Sequence, residues 1–247
     1  MKTVDSMFDE QRKLLLKSLD EAHTAYHEAG VFSGPSVYFH LRSLQAAKTQ
    51  DFERFAEYVY ATLASWGMHR MGPSGAKMCG FEKFHSSLDG VWRAAMLLQQ
   101  KRPASLTEDD WTELKKIFDG IQCMASGTSL VGNSKVMAHL LPNLIPPVDR
   151  AYTLTFLFKH GRIKNGRESE WGTLRQVLDG FFYPVVQSPS FQTKAREWLA
   201  KGNNWDTSEL KIVDNLVIGL LKMPRAEHGA APNTGPGKSS GNSKVAS

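Results

Sequence analysis

Apolar residues recur every three to four positions along most of the chain, the spacing that lines one face of an α-helix. Over 5–29, Phe8, Leu14, Leu15, Leu19, Ala22 and Tyr26 keep that spacing and Gly30 follows as a stop, which predicts one long helix. A shorter helix is predicted over 36–48. Asp51 is placed to cap the next, whose stripe is Phe52, Phe55, Ala56, Val59, Leu63 and Trp66. A loop rich in glycine and basic residues fills 67–80. Helices follow over about 81–100 and 107–124, the second opened by Thr107 with Asp110 three residues on, a capping-box pattern. Shorter helical patterns cover 134–141, 149–160, 172–186, 188–200 and 207–222. No period-2 alternation is long enough to demand a sheet, and no fixed-period repeat occurs. The expected fold class is all-α. Residues 1–224 form the helical domain, as one lobe or as two with a cleft between them. From Pro224 onward small and polar residues dominate, so 225–247 is expected to be a disordered tail.

The 247 residues are 41% hydrophobic and 22% charged, ordinary globular composition with enough apolar material for a real core. No run of 18 apolar residues exists, so no membrane span is expected. The first 17 residues are charged throughout and do not read as a signal peptide, which points to the cytoplasm. Cys79 and Cys123 are expected to be reduced thiols, and two cysteines cannot supply the four thiolates of an all-Cys iron–sulfur cluster. No cofactor is expected. The net charge of +5 and isoelectric point near 9.1 permit a polyanionic partner without requiring one.

The segment 130–161 is the most informative. Val131, Gly132, Asn133 and Ser134 read as a tight hairpin at the start of a helix. Its backbone N–H groups, with Lys135 beside them, would make a phosphate seat. Asp149 opens the following helix straight after Pro146-Pro147-Val148, and the prolines hold its carboxylate in a fixed place. On local grounds alone, Asp149 is equally a plain N-cap and Lys135 a solvated helix-start lysine.

These features together resemble the helix-hairpin-helix DNA glycosylase superfamily. Leu130 to Lys135 stands where that family has its Leu-Pro-Gly-Val-Gly hairpin. Pro147-Val148-Asp149 matches its Pro-Val-Asp step, and Lys159-His160-Gly161 falls where its helix ends. Two departures are plain: one glycine stands in the hairpin where the family usually has two, and the distance from hairpin to aspartate is a few residues short. The resemblance implies an all-helical glycosylase that flips a modified or damaged base out of double-stranded DNA and excises it. It implies that Asp149 stabilises the sugar cation, and that Lys135 is the nucleophile if the enzyme also cuts the strand. It implies DNA contacts from Val131, Gly132, Asn133, Ser134, Arg70 and Lys77, and a base pocket built with Trp66, His69 and Tyr152. The base could be a repair lesion or a hypermodified base of phage DNA, which would make the enzyme part of phage defence. Two other readings stand beside this one: a helix-hairpin-helix module that grips DNA without catalysis, and a helical protein–protein scaffold.

Other candidates are weaker. His23 and His27 lie four apart on one helix, but only Glu28 is near in sequence as a third ligand, so no metal site is expected. His139 reads as a partly buried core histidine. Arg162, Lys164 and Arg167 form a basic loop that could meet phosphate. No P-loop, HExxH or GxSxG motif is present.

Overall fold

The computed structural model describes residues 3–30, 34–70 and 77–223. The tail at 225–247 and positions 71–76 of the glycine-rich loop lie outside the described residues. Among the described residues the secondary structure is helical, with one isolated antiparallel bridge joining Met78 to Met124. The all-α expectation holds. No described helix is long and apolar enough to cross a membrane.

Twelve α-helical segments are labelled in chain order: α1 Val4–Lys17, α2 Leu19–Glu28, α3 Pro35–Lys48, α4 Phe52–Ser65, α5 Phe81–Leu98, α6 Glu108–Gly120, α7 Leu130–Leu140, α8 Thr155–Phe158, α9 Arg167–Val177, α10 Tyr183–Val186, α11 Pro189–Ala200 and α12 Glu209–Lys222. Several caps are those the sequence announces. Asp51 accepts from the Arg54 amide, and Thr107 and Asp110 form a reciprocal capping box. Other boundaries differ. The helix expected over 5–29 is two, broken at Ser18 with φ −119° and ψ 33°. Leu14 falls outside the buried stripe and is 47% exposed. The helix expected to run to 124 stops at Gly120, because Lys77 and Cys79 take the next stretch into the bridge: Cys79 N donates to Cys123 O and Ala125 N to Lys77 O. Arg150–Leu154 and Leu178–Phe182 are π-helical turns, so the two helices expected there are wider-wound than an ideal period allows.

One contiguous core runs from Phe8 on α1 to Val217 on α12. Helix α12 is buried without interruption from Leu210 to Gly219 and packs along α2. That packing needs Gly219. A Cβ there would sit 1.9 Å from the Ala22 carbonyl oxygen, a backbone atom that cannot step aside. Gly219→Ala is therefore expected to destabilise by about 3 kcal/mol or more, as overpacking of a tight core does. Gly172 on α9 is a matched control: nothing lies within 4 Å of its Cβ position. Gly172→Ala should stabilise by up to ~1 kcal/mol through helix propensity alone. Urea titration of both variants checks the pair, and equal effects would mean that α2 and α12 do not approach this closely.

A small second cluster stands apart from the main core. Its buried members are Tyr26, Trp205 and Ile218, with Val37, Trp66 and Tyr152 packed against them. These side chains come from α2, α3, the end of α4, the Arg150–Leu154 turn, the loop before α12, and α12 itself. Four of them, Trp66, Tyr152, Trp205 and Ile218, line the cleft described next.

Candidate active site

The proline step is anchored by α7. Ser134 is fully buried, and its Oγ donates to the Val131 carbonyl while accepting from the Val148 amide at 3.1 Å. Residues 146–148 are thereby pinned to the first turn of α7, and Asp149 follows in a set position. Its Oδ1 accepts from the Ala151 amide at 2.7 Å and the Tyr152 amide at 3.3 Å. Its Oδ2 accepts from Lys135 Nζ at 3.2 Å. One carboxylate oxygen is thus a helix cap and the other faces a cation. The N-cap expected of Asp149 on local grounds is formed, and the second oxygen stays free of the backbone to meet Lys135.

Lys135 lies one residue past Ser134 on α7, its side chain 12% exposed, with Nζ 5.4 Å from the centroid of the Trp66 ring. Together with Asp149, Tyr152 and Pro147 these line one cleft. Its other wall comes from Trp205, Lys211, Asp214 and Ile218. Lys211 Nζ donates to Asp214 Oδ2 at 2.9 Å and to Asn215 Oδ1, and it sits over the rings of Tyr26 and Trp205. Burial pulls this ammonium down, but the Asp214 carboxylate beside it outweighs that and holds it above the ordinary lysine value. Lys211 is therefore a fixed cation. The cleft presents two Lys–Asp pairs and three aromatic rings. A wider hollow of about 240 Å³ lies on the other side of Asp149, lined by Met68, Met124, Thr128 and Arg150 among others.

Of the residues expected from sequence, Trp66, Lys135, Asp149 and Tyr152 are brought together. The hairpin is not formed. Val131, Gly132, Asn133 and Ser134 lie inside the first turn of α7 rather than before it. The phosphate seat is also taken. Glu170, 3% exposed, accepts from the Ser129 amide at 2.6 Å and the Leu130 amide at 2.7 Å through Oε2. An internal carboxylate from α9 already takes two amide donors at the positive end of α7 and neutralises part of its field, which weakens the seat for an external anion. Asn133 is buried, with Nδ2 donating to the Phe118 and Ile121 carbonyls. Gly132 is close-packed against Cys123 and Met124. All four lie within α7, and of them only Val131 is part-exposed, on the wall of the wider hollow.

Of the described residues of the 67–80 loop, His69 and Lys77 do not line the cleft. His69 is exposed and its Nδ1 lies 2.8 Å from the Ala64 carbonyl, away from the cleft lining. Lys77 is exposed and outside the cleft, its backbone holding Ala125. Arg70 ends a short 3-10 turn, and its side chain lies outside the described residues. Arg162, Lys164 and Arg167 are exposed, as a phosphate-contacting loop requires.

His139 is wholly buried behind Lys135. Its Nε2 is 2.8 Å from His40 Nδ1 and its Nδ1 2.7 Å from the Lys135 carbonyl. Burial lowers its pKa to about 4, so it is neutral at neutral pH. Both cysteines are free and buried, and burial pushes the Cys123 thiol up to about 12, which leaves it unreactive.

Trp205, Lys211 and Asp214 were not expected from the sequence. Their signal was present: Lys211, Asp214 and Asn215 interrupt an otherwise apolar helix, and polar groups on a buried helix must face partners or a cavity. No family model, curated protein or solved structure matches the chain.

Proposed function

We propose that this chain is a DNA N-glycosylase that takes up a flipped base beside Asp149 and Lys135. The observation that carries the reading is the 3.2 Å pair of Lys135 and Asp149 at the mouth of a cleft walled by Trp66, Tyr152 and Trp205. Aromatic faces suit a flat base, since stacking tolerates any π-system. A carboxylate held by the backbone suits a developing sugar cation, because its orientation is fixed before the charge appears. In the described conformation the cleft leaves about 40 Å³, so a base enters by parting Trp66 and Tyr152, both only half-buried.

The chemistry then divides between the two residues. Lys135 must be neutral to attack, and Asp149 Oδ2 is the group within reach of its proton. As the Nζ–C1′ bond forms, the C1′–base bond breaks and the base leaves with its electron pair. If water attacks instead, Asp149 stabilises the cation and orients the water, and an abasic site remains. Exposed Arg162, Lys164 and Arg167 supply phosphate contacts in place of the occupied α7 terminus. That occupancy counts against the purely binding module, whose grip would come from the same donors.

The test is base release from duplexes that each carry one altered base, including bulky modified pyrimidines of the kind found in phage DNA. Release from one class with an abasic or nicked product is the expected result. No release from any duplex would remove the catalytic reading.

A further inference from the structure

We propose that His23, His27 and Asp206 form a binding site for a zinc-class divalent metal, outside the lining of the Lys135–Asp149 cleft and independent of the function proposed above. The two histidines are one turn apart on α2, as helical metal pairs are. The third ligand comes from the loop before α12, 179 residues along the chain from His27, which is why sequence spacing gave no sign of it. The expectation that this pair holds no metal rested on near neighbours alone, and Asp206 supplies the distant ligand it did not consider.

The geometry singles out a common centre. His23 Nε2 is 3.0 Å from Asp206 Oδ2, His27 Nε2 is 3.1 Å from the same oxygen, and the two Nε2 atoms are 3.1 Å apart. A hydrogen bond aligns two atoms; three polar atoms in a near-equilateral triangle share a point above its plane. Ligands of tetrahedral zinc at 2.0–2.1 Å stand about 3.3 Å from one another, close to this triangle. Without a metal, the two Nε2 atoms 3.1 Å apart could not both carry a proton, so only one imidazole could donate to the shared carboxylate oxygen. The ligand types suit zinc, since imidazole and carboxylate bind it well and no soft thiolate is near. Three protein ligands leave a fourth position for water. Asp206 is 1% exposed, and His23 and His27 are 15% and 23% exposed, so the ion would reach solvent from the histidine side.

The surroundings are braced as metal sites are. Asp206 Oδ1 accepts from Asn215 Nδ2 at 3.0 Å, and the same amide donates to the Trp205 carbonyl. The His23 ring stacks on Trp198 with centroids 4.1 Å apart and planes within 3°. Asn203 Nδ2 lies 3.3 Å from His27 Nδ1, a long contact that a metal on Nε2 would turn into two facing donors, so that amide swings away on binding. A bound ion would staple α2 to the loop that carries Trp205 into the cleft.

The experiment uses the full chain, stripped with a chelator and titrated with zinc and with cobalt. One equivalent should bind, cobalt should give the intense visible bands of a tetrahedral site, and zinc should raise the melting temperature by several degrees. His23→Gln and His27→Gln, at partly exposed positions, should each weaken zinc binding by about 100-fold or more, beyond the loss expected for an outer hydrogen-bond partner. Glu28→Gln should leave it unchanged. Absence of stoichiometric binding, or binding indifferent to both histidine variants, would show a metal-free hydrogen-bonded clamp and overturn the proposal. If a variant fails to fold, the cobalt spectrum of the unaltered chain decides alone.

Discussion

Asp149→Asn is expected to fold, to bind duplex DNA as the unaltered chain does, and to release its base at least ~100-fold more slowly. The scale is that of removing one preorganised electrostatic group from a site where charge develops. The stability expectation follows from the two oxygens. An amide oxygen can still accept from the Ala151 and Tyr152 amides, and asparagine is a good N-cap. What is lost is the Lys135 contact, made by side chains 12% and 29% exposed, which contributes on the order of 1–2 kcal/mol. Single-turnover base release and a urea titration on the same preparation separate the two effects. Unchanged release would remove Asp149 from the chemistry, and gross unfolding would show that its cap outweighs its site role.

The second large effect is acid destabilisation. His139 in the folded chain protonates near pH 4, whereas an unfolded histidine protonates near 6.5. Between those values the unfolded chain binds the extra proton, so stability is full above about pH 6.5 and is lost as pH falls toward 4. At 1.36 kcal/mol per pH unit the loss from this group is about 3 kcal/mol. His40, held well below its ordinary value first by burial and then by His139, acts in the same direction. The cations facing His139 are Lys135 on its own helix and Lys211 on α12, and both oppose its protonation. Unfolding free energies measured from pH 7.5 to 4.5 should therefore decline, and His139→Gln should remove about one proton from the slope. A slope unchanged by that variant would place the titrating group elsewhere.

These histidines mark the limit of what the chain's pattern could reveal. Helix positions were legible because amphipathic stripes and caps are local: Asp51, Thr107 and Asp110 all act within three residues of themselves. The proline step also spoke locally, and it delivered Asp149 beside Lys135. The misread hairpin has a distant cause. Leu130 to Ser134 carries a glycine and small residues that favour a turn in isolation, yet Glu170, some 40 residues on, caps the Ser129 and Leu130 amides at the start of a helix that runs through the segment. The break at Ser18 has no glycine or proline to announce it. The second wall of the cleft was hidden for a different reason. Trp205, Lys211 and Asp214 reach it only because α12 lies on α2, a packing set by the absent side chain of Gly219. Asp206 joins His23 and His27 through the same packing.

We propose that the Lys135–Asp149 cleft acts on the deoxyribose of a flipped nucleotide. It is tested most directly by borohydride reduction during turnover on the duplex that supports base release. If Lys135 is the nucleophile, reduction traps one protein–DNA adduct, peptide mapping places it on Lys135, and Lys135→Ala abolishes it. An adduct mapped to Lys211 or to any lysine outside the cleft would contradict the account. So would base release that persists undiminished in both Lys135→Ala and Asp149→Asn.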